Sequence, residues 1–279
     1  MVHKYIFVAD FFADEVPGGG EINNEELINI LVSRGNLLLK RKSQSLKVED
    51  IRAHSGSRFI IANFVGLAED VKIALSQEDY IIYEHDHKYL LSRNPAIYEN
   101  YEAPKEKIIN FAFYKSAQAV LCQSVFHKMI VGINLGIDNI VSLSGNLWSE
   151  EILELLKELS EIKKDGHAIM ESAIPHKNTS EAVMFCRATN KQYNLIPSLP
   201  YRQFLTRMAE CEKLVFFPRS PETLSRISVE ARMLNMGVIT NELCGAKYEE
   251  WFSLKGSAMI EKVLEMRESI PNLVEGSFE

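Results

Sequence analysis

Two glutamates, Glu222 and Glu230, lie eight positions apart just after an apolar run at residues 214–217. The run predicts a buried strand, and the residues after it predict a loop, an amphipathic helix and a second strand at residues 238–240. Both carboxylates would therefore stand at the carboxyl end of a parallel strand, where ligands of open α/β sheets bind. Because a carboxylate accepts hydrogen bonds at two oxygens, the pair can hold two sets of hydroxyls, as on a sugar and a ribose. The plainer interpretation is a helix cap at Glu222 and an exposed, ion-paired Glu230.

Three consecutive glycines, Gly18, Gly19 and Gly20, join the first predicted strand to a helix predicted at residues 21–33. Glycine lets a backbone approach a ligand closely, and a helix start offers free N–H groups and the positive end of the helix dipole. The turn therefore suits a diphosphate, although a merely flexible loop would contain the same residues. The dinucleotide fingerprint G-x-G-x-x-G does not follow the first strand, which disfavours a nicotinamide-dependent oxidoreductase.

A third polar cluster, Glu84-His85-Asp86-His87, ends a strand predicted at residues 80–83. A neutral imidazole can hydrogen-bond a sugar hydroxyl, and the Asp86 carboxylate can orient an acceptor or take its proton. Two histidines beside two acids also suggest a metal, but their spacing is not diagnostic of a zinc site. The remaining interpretation is that they are turn residues hydrogen-bonded to the backbone.

The elements that must position these residues alternate between short apolar runs and helical patterns, which predicts βαβ units and parallel sheets. Ser144-Gly145-Asn146 is the best candidate linker, because glycine and asparagine mark turns. We predict an α/β fold of two Rossmann-like domains facing each other across a cleft. The first would comprise residues 1–145, and the second residues 146–279 with a terminal helix. A single helix is predicted at residues 105–117.

The composition is that of a globular protein, with 46% hydrophobic and 25% charged residues and a formal net charge of -7. The acidic balance argues against a nucleic-acid partner. Lys40, Arg41, Lys42 and Lys47 form one basic cluster, interpreted as a solvated turn, with peripheral contact to an anionic membrane or an anionic acceptor as the alternative. No apolar run reaches the roughly 18 residues of a membrane span. Four scattered cysteines predict buried free thiols and a cytoplasmic location.

The glutamate segment resembles the E-x7-E element of retaining glycosyltransferases with two Rossmann-like domains, the GT-B fold, and in particular family 4. Pro218 matches the family's proline before the loop, and Val229-Glu230-Ala231 matches its v-E-A core. The glycine turn at residues 18–21 resembles the family's G-G-x-E turn. One departure is Ser225, which stands where the family often has glycine.

The resemblance implies roles for the acids and histidines. His85 matches the first-domain histidine that lies near the transferred sugar, and His87 is the alternative if the register differs. Asp86 would orient or deprotonate the acceptor. Glu222 would bind the donor sugar, and Glu230 would accept both ribose hydroxyls.

The same resemblance implies how the donor diphosphate is neutralised. Lys177 matches the lysine of the family's phosphate-binding loop, but Ser172 stands where its arginine partner is expected. Arg219 or Arg226 would supply the missing charge. The glycine turn at residues 18–20 completes the predicted donor site.

The activity that the resemblance implies is metal-independent, cofactor-free transfer of a hexose-like sugar from a nucleotide-sugar with retention of configuration. The acceptor would be a glycan, a lipid-linked sugar or another small molecule. Two alternatives stay open: a nucleotide-sugar 2-epimerase of the same fold, and a non-catalytic nucleotide-sugar-binding protein, which the Ser172 departure favours.

Acceptor specificity in this fold comes from first-domain loops, here near residues 35–57 and 88–104. The second loop contains Tyr89, Tyr98 and Tyr101. These rings either stack on sugar faces or pack as ordinary aromatic side chains.

Overall fold

The computed structural model describes residues 3–16 and 18–279. The chain forms two compact units, which are Met1–Leu147 together with Arg267–Glu279, and Trp148–Met266. The sequence-based division lay at residue 145 and placed the whole terminal helix in the second domain. In the structure the last part of that helix belongs to the first unit instead.

The first unit contains the six-stranded sheet and the helices that cover it. Its elements are β1 (Lys4–Ala9), α1 (Gly19–Ser33), β2 (Leu37–Lys42), α2 (Val48–Ala53), β3 (Arg58–Ile61), α3 (Glu69–Leu75), β4 (Tyr80–Glu84), α4 (Phe111–Ser116), β5 (Val120–Cys122), α5 (Val125–Leu135) and β6 (Ile140–Ser142). Short 3-10 helices lie at Ser43–Ser45, Pro95–Ile97, Glu99–Tyr101 and Lys105–Lys107.

All neighbouring strands of this sheet are parallel, in the order β2-β1-β3-β4-β5-β6. Residues 5–9 of β1 and 59–61 of β3 are fully buried, as expected for strands covered on both faces. The strand order reverses between β1 and β3, because β2 lies on the opposite side of β1. In open parallel sheets, ligands bind in the crevice at the carboxyl ends beside such a reversal.

The elements of the second unit are α6 (Glu150–Ser160), β7 (His167–Met170), α7 (Thr179–Ala188), β8 (Tyr193–Ile196), α8 (Tyr201–Ala209), β9 (Lys213–Phe216), α9 (Arg226–Met233), β10 (Gly237–Thr240) and α10 (Ser257–Gly276). They repeat the plan of the first unit with a four-stranded parallel sheet in the order β10-β9-β7-β8, whose reversal lies between β7 and β9. Short 3-10 helices lie at Pro175–Lys177, Gly245–Tyr248 and Glu250–Ser253. The α/β class with parallel sheets is confirmed.

Two elements differ from their sequence predictions. The helix predicted at residues 105–117 is broken, because Asn110 has a left-handed backbone (φ 58°) and its Nδ2 donates to the Lys88 carbonyl at 2.8 Å. The α1 helix begins at Gly19, so Gly19 and Gly20 form its first turn instead of a free loop. Pro17, which precedes the three glycines, lies outside the described residues.

The terminal helix α10 continues to Gly276. Ile270 and Val274 on its last turns are fully buried in the first unit. Arg34, at the end of α1, donates from Nη1 to Asn272 Oδ1 at 2.8 Å and to Glu275 Oε2 at 2.5 Å. This clamp ties the chain end to the α1–β2 connection. In the part of the chain that the structure describes, no helix has the length and apolar character of a membrane span.

Replacing Arg34 by alanine should lower the free energy of unfolding by about 1–2 kcal/mol, because charge-assisted hydrogen bonds to a half-buried guanidinium are lost. Urea denaturation followed by circular dichroism measures this change. Arg207→Ala is the matched control, since Arg207 makes only an exposed pair with Glu210 and should cost less than about 0.5 kcal/mol. Equal losses in the free energy of unfolding for the two variants would contradict a stabilising role of the Arg34 contacts.

Candidate functional site

The loop that carries Glu222 is held by backbone hydrogen bonds at the carboxyl edge of the second sheet. Glu222 N donates to the Leu243 carbonyl at 2.8 Å, and Gly245 N donates to the Glu222 carbonyl at 2.9 Å. The segment after β10 therefore forms a parallel bridge with the segment after β9. This bridge fixes where the Glu222 side chain starts.

The Glu222 carboxylate meets Lys177, which ends the 3-10 helix that follows β7. Lys177 Nζ lies 2.7 Å from Glu222 Oε1, and the two side chains are 25% and 16% exposed. Arg219 joins the same region, because its backbone N–H donates to the His176 carbonyl at 2.8 Å. Burial and the neighbouring Lys177 charge lower the pKa of His176, so that ring is neutral near pH 7. The structure thus brings Lys177, Arg219 and Glu222 together from two loops.

Glu230 is not the exposed side chain of the plainer interpretation, because only 4% of it is exposed. Its Oε1 accepts hydrogen bonds from Trp148 Nε1 at 3.0 Å and from Tyr201 OH at 2.6 Å. Burial, then the charge of Glu230, raises the pKa of Tyr201, so the phenol keeps its proton and stays a donor. The arrangement is a buried carboxylate oriented by two fixed donors.

Arg226 completes this cluster. Its guanidinium carbon lies 4.1 Å from the Trp148 ring centroid, and its Nε lies 3.8 Å from Glu230 Oε1. With 11% of its side chain exposed, Arg226 is committed to the indole face and to Glu230. Arg219 is exposed, and is therefore the better placed of the two predicted replacements for the charge that Ser172 lacks.

Trp148 and Tyr201 were missed by sequence reasoning. They lie far from Glu230 along the chain and reach it only through packing, because Tyr201 begins α8 and Trp148 precedes α6. The only local signal near Trp148 was the serine beside it, Ser149, whose Oγ caps α6 by accepting a hydrogen bond from Ile152 N at 3.4 Å.

The loop positions that depart from the family pattern have clear local structures. Ser225 has a left-handed backbone with φ 81°, the region that glycine adopts most readily, and its Oγ lies 2.9 Å from Ser228 Oγ. Ser172 N donates to Thr179 Oγ1 at 3.0 Å, which closes the loop after β7 onto the start of α7. The first departure makes the turn more costly, and the second removes one of the two cations that the family pattern places in this loop and leaves Lys177 as the other.

The first unit has a pocket of about 500 Å³ at the carboxyl ends of β1, β3 and β4, beside the reversal of strand order. The predicted residues Gly20, His85 and Asp86 line it, together with Asp10 and Glu21. His85 Nε2 donates to Asn24 Oδ1 on α1 at 2.5 Å, which orients the ring. Sequence reasoning did not identify Asn24, which is fully buried on the second turn of that helix.

Asp86 forms an ion pair with Arg93, another residue of the pocket wall. Burial alone would raise the pKa of Asp86, but the charges of Lys88 and Arg93 outweigh it and lower the pKa well below its usual range. A carboxylate with so low a pKa accepts a proton poorly, so the geometry favours Asp86 as an anchor for Arg93 over the predicted role of base.

The alternative histidine, His87, is buried beneath this turn. It is 3% exposed, its Nδ1 lies 3.0 Å from Tyr89 OH, and its ring meets His127 edge-on at 5.1 Å. Of the two histidines, His85 is therefore the one that lines the pocket. Tyr89 is fully buried, and Tyr101 packs edge-on to Phe126 at 5.6 Å, which supports packing over sugar stacking for these two rings.

A buried ion pair supports the turn from below. Lys88 Nζ donates to Glu84 Oε1, Asp86 N donates to the same oxygen at 2.9 Å, and Tyr114 OH donates to Oε2. Burial raises the pKa of Glu84, and the Lys88 charge opposes that rise. Movement of either partner would leave an uncompensated buried charge, which is strongly destabilising. The pair therefore fixes the segment that presents His85 and Asp86.

The remaining predicted clusters have simpler structures. Within residues 3–16 and 18–279, no three His, Cys, Asp or Glu side chains converge as a metal site would require. In the basic cluster, residues 40–42 end strand β2 and do not form the expected turn. The pairing of Lys40 with Glu25 at 2.5 Å and of Lys42 with Glu15 fits a solvated surface.

No protein-family model matches the chain, and no curated protein matches it in sequence. Its fold is similar to that of Anabaena HepE in complex with UDP and glucose, with a TM-score of 0.54 and 12% identity over 99% of this chain and 92% of that one. It is also similar to an alpha-glucosyltransferase in complex with UDP and a 13-mer DNA containing an HMU base, with a TM-score of 0.52 and 8% identity over 98% and 95% of the two chains. At these identities the similarity shows the fold alone, and with the two parallel sheets it confirms the predicted GT-B class of two Rossmann-like domains.

The Asp86→Asn variant should be less stable than the wild type by about 1–2 kcal/mol at pH 7, because a charge-assisted pair is lost. The lowered pKa of Asp86 means that this stability is present above the ordinary aspartate pKa of about 3.9 and is lost as pH falls below it. The stability difference should therefore shrink from pH 5 towards pH 2 in urea titrations. A difference that stays constant over that range, or an equal effect of the exposed control Asp138→Asn, would refute the pairing.

Proposed function

We propose that the protein is a retaining glycosyltransferase, resembling family 4, that transfers a hexose-like sugar from a nucleotide-sugar. The observation that carries this proposal is the pair of carboxylate environments at the carboxyl edge of the second sheet. Glu230 is buried and held by two donors, whereas Glu222 is partly exposed and paired with Lys177. The fixed Glu230 carboxylate suits binding of the ribose, and the more exposed Glu222 carboxylate suits contact with the sugar that is transferred.

In this proposal Glu230 accepts hydrogen bonds from the two ribose hydroxyls. Tyr201 and Trp148 hold Oε1 at 2.6 and 3.0 Å, so the carboxylate is oriented before the nucleotide arrives. Preorganisation lowers the entropy that binding must overcome.

The donor diphosphate would meet positive charge from three sources. Lys177 and Arg219 approach from the loops after β7 and β9, and the first N–H groups of α9 add the positive end of a helix dipole. When the diphosphate binds, it competes with Glu222 for Lys177. That competition frees the Glu222 carboxylate for hydroxyls of the donor sugar, and it lets the leaving group be neutralised without a metal.

The reaction is the transfer of a glycosyl group. The acceptor oxygen forms a bond to the anomeric carbon as the bond from that carbon to the diphosphate oxygen breaks, and the electron pair leaves with the diphosphate. The acceptor proton passes to the leaving β-phosphate oxygen on the same face, which gives retention. The role of the protein is to position both substrates and to stabilise the charge that develops. His85 stays the predicted contact of the first unit to a sugar hydroxyl.

The fold similarities support the proposal and suggest where testing should begin. HepE was solved with UDP and glucose, and the alpha-glucosyltransferase was solved with UDP and DNA. UDP-sugars are therefore the first donors to try. A 2-epimerase of the same fold would consume the donor without an acceptor, and a non-catalytic protein would bind the nucleotide and consume nothing.

The test of donor binding is a thermal-shift panel of UDP, GDP, ADP, CMP and dTDP with the wild type and Glu230→Gln. The amide keeps an oxygen for Trp148 and Tyr201, so the unliganded variant should melt close to the wild type. It replaces the other acceptor oxygen by a donor, so nucleotide affinity should fall about tenfold or more. One nucleotide should raise the melting temperature of the wild type and of the control Glu212→Gln, whose side chain is exposed.

A panel in which no nucleotide stabilises the wild type would overturn the proposed function. Stabilisation that is equal in the wild type and Glu230→Gln would leave nucleotide binding in place and remove the ribose role of Glu230.

The role of Glu222 is tested by turnover. Glu222→Gln should leave the affinity for the nucleotide within about threefold of the wild type and lower the rate of donor consumption by more than about tenfold, because the carboxylate contact to the reacting sugar is lost. Glu242→Gln, a nearby carboxylate paired with Lys247, is the control. Unchanged turnover in Glu222→Gln would exclude Glu222 from the sugar site.

A further inference from the structure

The lining of the first unit's pocket includes none of the residues to which the proposed function assigns the ribose and the diphosphate. It lies at the carboxyl ends of β1 and β3, encloses about 500 Å³, and combines an apolar face with polar groups. Pockets that bind one small molecule specifically have this character, with a few convergent polar groups that fix orientation.

The apolar face is provided by Phe11, an aromatic side chain that is 47% exposed in a wall of the pocket. Around it stand the amides of Gln44 and Asn63 and the carboxylate of Glu21. An amide both donates and accepts hydrogen bonds, and an ionised carboxylate only accepts. A sugar ring matches this set, because its C–H face packs on an aromatic ring while its hydroxyls reach amides and a carboxylate.

Glu21 is the best-defined of these groups. Its carboxylate folds back over the start of α1, where a Cβ atom on Gly18 would lie 2.3 Å from Glu21 Oε2. Gly18 therefore leaves the space that this carboxylate occupies. On the other side Asn63 Nδ2 donates to Glu21 Oε1 at 3.4 Å. Burial, with a further contribution from the Asp10 charge, raises the pKa of Glu21, and the Lys88 charge only partly opposes that rise.

The charges of the pocket select against anions. Asp10, Glu21 and Asp86 line it with one guanidinium, Arg93, which is itself paired with Asp86. Asp10 is anchored by the Val65 and Gly66 N–H groups, each at 3.0 Å. The excess of fixed negative charge disfavours a phosphate or another carboxylate, because like charges brought together away from water repel strongly.

We propose that this pocket binds the acceptor through an uncharged sugar ring that packs on Phe11 and donates a hydroxyl hydrogen bond to Glu21. The proposal rests on the proposed glycosyltransferase activity for the word acceptor, whereas the binding site itself stands on the pocket alone. It also disfavours the predicted binding of the diphosphate at the glycine turn of residues 18–20, because Glu21 and Asp10 already place negative charge there.

The experiment is saturation-transfer NMR on the full chain with matched sugars. Glucose, mannose, galactose and N-acetylglucosamine are each compared with their 6-phosphates, with and without UDP. The variants are Glu21→Gln, which removes the charge, and Gly18→Ala, which displaces the carboxylate and keeps its charge. Glu25→Gln is the control on the same helix, since Glu25 pairs with Lys40 outside the pocket.

At least one neutral sugar should bind the wild type and Glu25→Gln more than about tenfold tighter than its 6-phosphate. Glu21→Gln should weaken the binding of the neutral sugar and lower the ratio of its affinity to that of its 6-phosphate by at least about threefold. Gly18→Ala should weaken the binding of the neutral sugar and leave that ratio of affinities unchanged. Each variant should melt within about 3 °C of the wild type, so that a loss of binding is not a loss of the fold.

A 6-phosphate that binds as well as its neutral partner would overturn the proposal, as would neutral binding that neither variant changes, or no binding of any sugar. The nucleotide panel separates this failure from that of the proposed function. A wild type that binds a nucleotide but no neutral sugar loses only this inference, and one that binds neutral sugars but no nucleotide loses the proposed function.

Discussion

The constraint on which both candidate sites depend is that every neighbouring strand in each sheet is parallel. All carboxyl ends in a sheet then lie at one edge, so residues far apart in the chain meet there. The order reverses at β1 and β3 in one sheet and at β7 and β9 in the other. The pocket of the first unit and the Lys177–Glu222 pair of the second both lie at such a reversal.

Buried carboxylates are the second common element, and each is held by a different kind of partner. Glu230 accepts hydrogen bonds from two neutral donors, Tyr201 and Trp148, with Arg226 farther away at 3.8 Å, whereas Glu84 accepts a hydrogen bond directly from the ammonium of Lys88. Neutral donors orient a carboxylate without cancelling its charge. An ion pair cancels the charge and stiffens the chain, which suits Glu84 beneath a turn better than it would suit a binding residue.

The two units also differ in the sign of the charge that they present at these edges. The loops of the second unit carry Lys177 and Arg219, and the pocket of the first unit carries Asp10, Glu21 and the Asp86–Arg93 pair. Under the proposed function, this difference would assign the anionic diphosphate to one unit and an uncharged sugar to the other. Electrostatics of this kind acts on specificity more than on total affinity.

The sequence by itself determined the α/β class, the strands and the segments that hold the candidate residues, because apolar periodicity and glycine or cap signals are local. It predicted β4 and β9 to within one residue at each end and identified His85, Lys177, Glu222 and Glu230 as candidate residues. Only the tertiary structure decided the environment of each group. Glu230 is buried through packing with α8, and the helix expected at residues 105–117 is broken where Asn110 bonds to the backbone of Lys88. Likewise, Asp86 is a weak base because the charges of Lys88 and Arg93 lower its pKa, and the environment of Glu21 depends on its place beside Gly18 and Asp10. Such contacts join residues whose spacing along the chain carries no information about their distance in space.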